Sequence, residues 1–232
     1  MYDLTMYVPT RGRPQNASGL DECFDKTVTI DSRLVFILSE DDPALNDYIA
    51  LNLNAEILIV KPQNRGFVEP LNLGYRADKH QSYAVGFMGD DHRPRTKFWD
   101  EMFVNELITM KSGFVYGDDG FQHEAIPTHV GMTSDIPTEL GYMTYPRLRH
   151  LYADNFWLDL GAALGKIKYL PDVFIEHMHP AAGKNKFDAG YEFSGSFALD
   201  LADRSMYQMY LETELQKDKQ KLLDMMRRNN KI

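Results

Sequence analysis

The stretch Gly86-Phe-Met-Gly-Asp-Asp-His-Arg-Pro-Arg-Thr96 decides how this chain is read. An apolar run over residues 83–88 stops at Gly89 and gives way to two adjacent carboxylates, Asp90 and Asp91. A strand ending in paired acids, with room made by a glycine, suits a hard divalent cation held against a diphosphate. Mg²⁺ and Mn²⁺ prefer oxygen ligands and share their shell between one or two carboxylates and substrate phosphates. The competing reading is an acidic surface turn after a buried strand, because Gly and Asp are common turn residues.

Outward from this stretch, toward the N-terminus, strands alternate with helices. Residues 4–8, 34–38, 56–60 and 83–88 read as strands, and 15–26, 43–51 and 69–79 as helices. That alternation implies a mostly parallel sheet with helices on both faces. Ligands on such sheets bind outside the carboxyl ends of the strands. Three of those ends are polar: Thr10-Arg11, Ser39-Glu-Asp-Asp42 and Asp90-Asp-His92. Toward the C-terminus the pattern changes. A helix is expected over 98–110, strands over 113–116 and 126–132, and a helix over 154–164 with Phe156, Leu160 and Leu164 on one face. Two short strands follow at 167–170 and 173–177, then a mobile loop at 181–196, then one long amphipathic helix over 199–228 with a basic end.

Composition narrows the class. The chain has 232 residues, 44% hydrophobic and 25% charged, which is ordinary globular material. A net charge of −9 argues against a broad nucleic-acid footprint. The single cysteine, Cys23, excludes an internal disulfide and a cysteine-rich zinc site. No signal-peptide pattern opens the chain, and no apolar run reaches the ~20 residues of a membrane span. A cytoplasmic protein is the expectation.

Several motifs in one order resemble nucleotide-sugar-dependent glycosyltransferases of the GT-A type, closest to the family 2 group. They are Val8-Pro-Thr-Arg-Gly-Arg-Pro14, Asn64-Arg-Gly66 with Leu71-Asn-Leu-Gly74, Gly89-Asp-Asp-His92 with Phe98-Trp99, Ala153-Asp-Asn-Phe-Trp157 and Glu176-His-Met-His179. Gly89 to His92 resembles the family's Asp-x-Asp region, with His92 where the last acid usually stands. Ala153 occupies the usual Glu position of the later Glu-Asp motif. The resemblance spans roughly residues 1–190. It implies a mixed α/β sheet flanked by helices, as a GT-A domain at 1–196 with a C-terminal helical extension at 197–232.

The resemblance also implies roles. Asp91 coordinates Mn²⁺ or Mg²⁺, with His177 or His179 as a further ligand, His177 slightly preferred. Asp90 reaches ribose hydroxyls or a metal-bound water. Pro9, Thr10, Arg11, Glu40 or Asp41, and Arg65 hold the nucleotide, with a UDP-sugar favoured. Lys184, with Lys186, closes over the diphosphate. Asp154 is the base for an inverting transfer to an acceptor hydroxyl on a glycan, lipid-linked sugar, protein or modified nucleic-acid base. Bland readings compete: helix capping for Asp42 and Asp154, solvated loop charges for Arg65 and the lysines. At the level of the whole chain, the alternatives are an idle GT-A-like binding module and a sugar nucleotidyltransferase.

Overall fold

The computed structural model describes residues 1–231. In chain order its strands are β1 (Tyr2–Thr10), β2 (Ser32–Ser39), β3 (Glu56–Val60), β4 (Ser82–Phe87), β5 (His92–Pro94), β6 (Phe114–Asp118), β7 (Val130–Thr133) and β8 (Ile167–His177). The helices are α1 (Pro14–Thr27), α2 (Leu45–Ala50), α3 (Val68–Ala77), α4 (Trp99–Met110), α5 (Asp135–Leu140), α6 (Ala153–Leu164), α7 (Ala189–Ser194), α8 (Phe197–Met209) and α9 (Leu215–Arg228).

β1 and β2 carry continuous apolar runs, residues 6–9 and 34–38, because both faces are covered there. Leu4, Met6 and Val8 pack with Leu34, Phe36 and Leu38 on one face, against Leu20 and Phe24 of α1 and Trp99 and Phe103 of α4. Tyr7, Val35 and Ile37 face the other core with Leu71 of α3 and Trp157 of α6. Continuous apolar runs of this kind mark strands of a doubly covered parallel sheet. The sheet order is β3-β2-β1-β4-β7-β6-β8-β5. The first four strands are parallel, β7 runs antiparallel to both β4 and β6, and β8 returns parallel to β6.

Four expectations change. The two short strands at 167–170 and 173–177 are one strand, β8. Its register jumps from Leu170 opposite Gly117 to Phe174 opposite Asp118, so Pro171 sits in a bulge, where a missing N–H costs no ladder bond. The expected strand at 126–132 forms only from Val130. The loop at 181–196 contains α7, whose Asp188 cap accepts from the backbone N–H of Gly190 and Tyr191. The long C-terminal helix is interrupted by a π-turn, Tyr210–Glu214, which divides it into α8 and α9. The boundary expected at 196/197 falls between α7 and α8. Beyond it, Tyr207, Tyr210, Leu222, Met225 and Met226 share a core with Phe156 and Trp157. Among the described residues, no helix is long and apolar enough to cross a membrane.

The Leu71-to-Gly74 motif has a packing role. Gly74 lies where a Cβ would come within 2.3 Å of Ile37. Buried Asn72 accepts from the backbone N–H of Met143 (2.8 Å) and Thr144 (3.3 Å) and donates to the Thr144 carbonyl (2.9 Å). It therefore ties α3 to the loop between α5 and α6. Asn72→Ala strands those buried groups and should destabilise the fold by about 2 kcal/mol. Urea unfolding should show a lower midpoint at unchanged slope; an unchanged midpoint would mean that the tie carries no stability.

Candidate active site

A cavity of about 870 Å³ opens at the carboxyl ends of β1, β2 and β4 and is walled by α7 and the start of α6. Its floor is the turn from β4 into β5. A Cβ at Gly89 would lie 2.6 Å from Asp91 Oδ1 and 2.9 Å from His92 Nδ1, so only glycine lets both side chains fold back. The Gly89 N–H donates to His92 Nδ1 (3.0 Å).

The two buried acids face opposite ways. Asp90 Oδ2 accepts from Thr10 Oγ1 (2.5 Å), and its Oδ1 accepts from Arg13 and Asn16 (both 3.3 Å). Burial, reinforced by the adjacent Asp91 charge, raises the Asp90 pKa. Asp91 Oδ2 accepts from the Tyr191 hydroxyl (2.6 Å) and lies 3.4 Å from His177 Nε2. Burial opposes ionisation of Asp91, but hydrogen bonding and charge from His177 hold its carboxyl well below the usual range. Burial works against the His177 imidazolium too, yet Asp119 and Asp91 raise its pKa to about 9.

His177 Nδ1 lies 3.5 Å from Asp119 Oδ2, without hydrogen-bond geometry. Thr128 Oγ1 donates to the same Asp119 oxygen (2.9 Å) and sits 3.4 Å from His92 Nε2. The His92 and His177 rings stack at 4.4 Å. His92 is neutral: burial, and then the His177 charge, push its pKa far down. Ligand atoms of Asp91, His92 and His177 lie within 4.8 Å of one another. Octahedral bonds of ~2.1 Å place neighbouring ligand atoms about 3 Å apart, so the 3.4 Å between Asp91 Oδ2 and His177 Nε2 fits two ligands of one ion. His92 Nδ1 is already engaged by Gly89, and the Tyr191 hydroxyl occupies the Asp91 oxygen that an ion needs.

Asp154, in the first turn of α6, faces the cavity. Among the described residues, its carboxyl takes no hydrogen bond from any residue but its own backbone. A helix N-terminus favours the charged carboxylate, but burial wins and raises its pKa to about 7.

The other expected residues divide. Pro9, Thr10, Arg11, Asp41 and Arg65 line the cavity, with Arg11 and Asp41 joined at its rim (2.7 Å). Arg65 lies over the Phe193 ring. His179 lines the cavity outside the three-ligand group, and its Nδ1 accepts from the Ala181 N–H. Glu40 and Lys184 do not line it: ion pairs hold Glu40 to Lys61 (2.6 Å) and Lys184 to Glu176 (2.9 Å).

No protein-family model matches the chain, and no curated protein sequence does. Solved structures do match in fold. S. aureus TarS 1–349 in complex with UDP-GlcNAc aligns at TM-score 0.59 and 14% identity, over 84% of this chain and 61% of that one. The mannosyltransferase PcManGT from Pyrobaculum calidifontis, with GDP-Man and Mn²⁺, aligns at 0.58 and 12%, over 95% and 73%. Glucosyl-3-phosphoglycerate synthase from Mycobacterium tuberculosis, with Mn²⁺, UDP and glucosyl-3-phosphoglycerate, aligns at 0.57 and 13%, over 78% and 75%. The chain has a GT-A fold. It spans about 60% of the TarS 1–349 chain.

Within this GT-A fold, Asp119, Thr128 and Tyr191 join the site without having been singled out in the sequence. Gly117-Asp-Asp-Gly120 repeats the glycine-and-paired-acid pattern of residues 89–91 and was a usable signal. Tyr191 carried none, being 100 residues from its partner.

Because the Asp154 pKa rises on folding, the folded state binds the extra proton. Its contribution to stability is present below the unfolded value near 4 and lost as pH climbs to about 7. Asp154→Asn lacks this loss. Its stability relative to the parent should grow between pH 4.5 and 7 by about 1 kcal/mol or more, then level off. A pH-independent difference in chemical denaturation would contradict the raised pKa.

Proposed function

We propose that the protein is a glycosyltransferase. In this reading it moves a sugar from a nucleotide-diphosphate sugar, preferably a UDP-sugar, to an acceptor hydroxyl with inversion at the anomeric carbon. The observation that carries it is the pairing, in one cavity of a GT-A fold, of the Asp91–His177 couple with an unpartnered carboxyl at Asp154. The bound UDP-GlcNAc, GDP-Man and Mn²⁺ of the fold neighbours support a nucleotide-sugar donor and a divalent cation.

The nucleoside fits the wall formed by Pro9, Thr10, Arg11, Asp41 and Arg65, outside the ends of β1 and β2. Arg65 can stack on a base or pair with a phosphate. Asp91 and His177 would hold Mn²⁺ or Mg²⁺. When bound, the ion stabilises negative charge developing on the leaving diphosphate. Thr10, Arg13 and Asn16 keep Asp90 from swinging into that charge. Glu40 and Lys184, which pair with Lys61 and Glu176 and are not among the lining residues, are left out of this reading.

Asp154 takes the proton from the acceptor hydroxyl as the new bond forms. A pKa of about 7 suits a general base working near neutrality. No enzyme nucleophile is needed, because the acceptor oxygen attacks directly. Asp154→Asn should bind UDP as the parent does and lose ~10²-fold or more in turnover. NMR of the parent's product should show the donor's anomeric configuration inverted. Parent-like turnover in the variant, or retained configuration, would defeat this mechanism.

A further inference from the structure

We infer that Asp119 is the residue that orients His177 as a metal ligand, a role that rests on the reading of Asp91 and His177 as the ion's holders. The two Asp119 oxygens have separate duties. Oδ1 accepts from the backbone N–H groups of Phe121 (2.8 Å), Gln122 (2.6 Å) and His123 (3.0 Å), which already fixes the loop after β6. A loop-capping acid needs no more than that. Oδ2 points elsewhere, to Thr128 Oγ1 (2.9 Å) and to His177 Nδ1 (3.5 Å). The Asp119 carbonyl also accepts from the His177 N–H (2.9 Å), so the backbone holds the histidine whose ring the side chain faces.

The consequence is a fixed tautomer once Nε2 gives up its proton to an incoming ion. His177 Nδ1 is buried, and the nearby acceptor is a carboxylate that has no proton of its own. The nitrogen facing it keeps its hydrogen, so the proton that an ion displaces is the one on Nε2, the nitrogen that faces Asp91. A carboxylate behind a ligating imidazole sets ring orientation and ligand basicity in this way. Thr128 extends the arrangement: it lies between the Asp119 carboxylate and His92 Nε2, so one acid aligns both stacked rings.

Asp119→Asn separates orientation from loop capping. The amide oxygen keeps the three backbone N–H groups, and the amide NH₂ then faces His177 Nδ1. Nδ1 becomes an acceptor, the ring proton moves to Nε2, and the lone pair is lost where the ion needs it. The same logic makes Asp→Asn damaging in a Ser-His-Asp triad.

The test is Mn²⁺ titration of the metal-free protein, without nucleotide, followed by electron paramagnetic resonance. The parent should bind one ion, Asp91→Asn should not, and Asp119→Asn should bind 10- to 100-fold more weakly, with its melting temperature in EDTA close to the parent's. Equal Mn²⁺ affinity in the parent and Asp119→Asn, with Asp91→Asn defective, overturns the role of Asp119 alone. No Mn²⁺ binding by the parent overturns the metal reading and this inference with it. Should Asp119→Asn not fold, ¹⁵N-histidine NMR of the Zn²⁺-loaded parent decides: the inference requires hydrogen on His177 Nδ1, and hydrogen on Nε2 refutes it.

Discussion

Two adjacent buried carboxylates at the end of β4 set the terms for the rest of the structure. Two charges side by side, away from water, are tolerated only when each has compensating partners. The chain solves this by sending them apart. Asp90 turns toward the start of α1 and takes Thr10, Arg13 and Asn16. Asp91 turns toward β8 and α7 and takes His177 and Tyr191. The partners come from β1, the start of α1, β8 and α7, so satisfying the acids also fixes how those elements meet around the cavity.

The later half of the chain closes the site. Arg13 bridges Asp90 (3.3 Å) and Asp188 (2.6 Å) while its guanidinium lies 4.1 Å from the centre of the Tyr191 ring. This seats α7 against the acids, and an ion approaching Asp91 Oδ2 competes with the Tyr191 hydroxyl for that oxygen. On the opposite wall, Asp203 of α8 accepts from three successive backbone N–H groups: Arg149 (3.0 Å), His150 (2.9 Å) and Leu151 (2.8 Å). Those residues lead directly into Asp154. The C-terminal helices thus help place the candidate base as well as cover the sheet.

The fold was legible where burial leaves a strong local trace. β1, β2 and β4 each carry an apolar run because both faces are covered there, and glycine and acids mark where the chain leaves the sheet after β4. Elements of three to six residues, such as β5 and α7, are too short for periodicity, and β8 reads as two apolar runs because Pro171, which sits in a bulge, separates them in the sequence. For the site, sequence supplied residue types but not long-range pairing. Asp91, His177 and Asp154 stood out by chemistry and chain order, and all three line one cavity. Nothing local shows that Lys61 and Glu176 claim Glu40 and Lys184, or that Tyr191 reaches Asp91. Asp119 differs, since its paired-acid turn was visible and only its histidine partner, 58 positions on, was hidden.

A crystal structure with UDP and Mn²⁺ tests the central claim most directly. The account predicts one ion within about 2.2 Å of Asp91 Oδ2 and His177 Nε2, completed by diphosphate oxygens, with the Tyr191 hydroxyl displaced from Asp91. UDP bound in the cavity with the Tyr191–Asp91 hydrogen bond intact and no ion at that oxygen would contradict it.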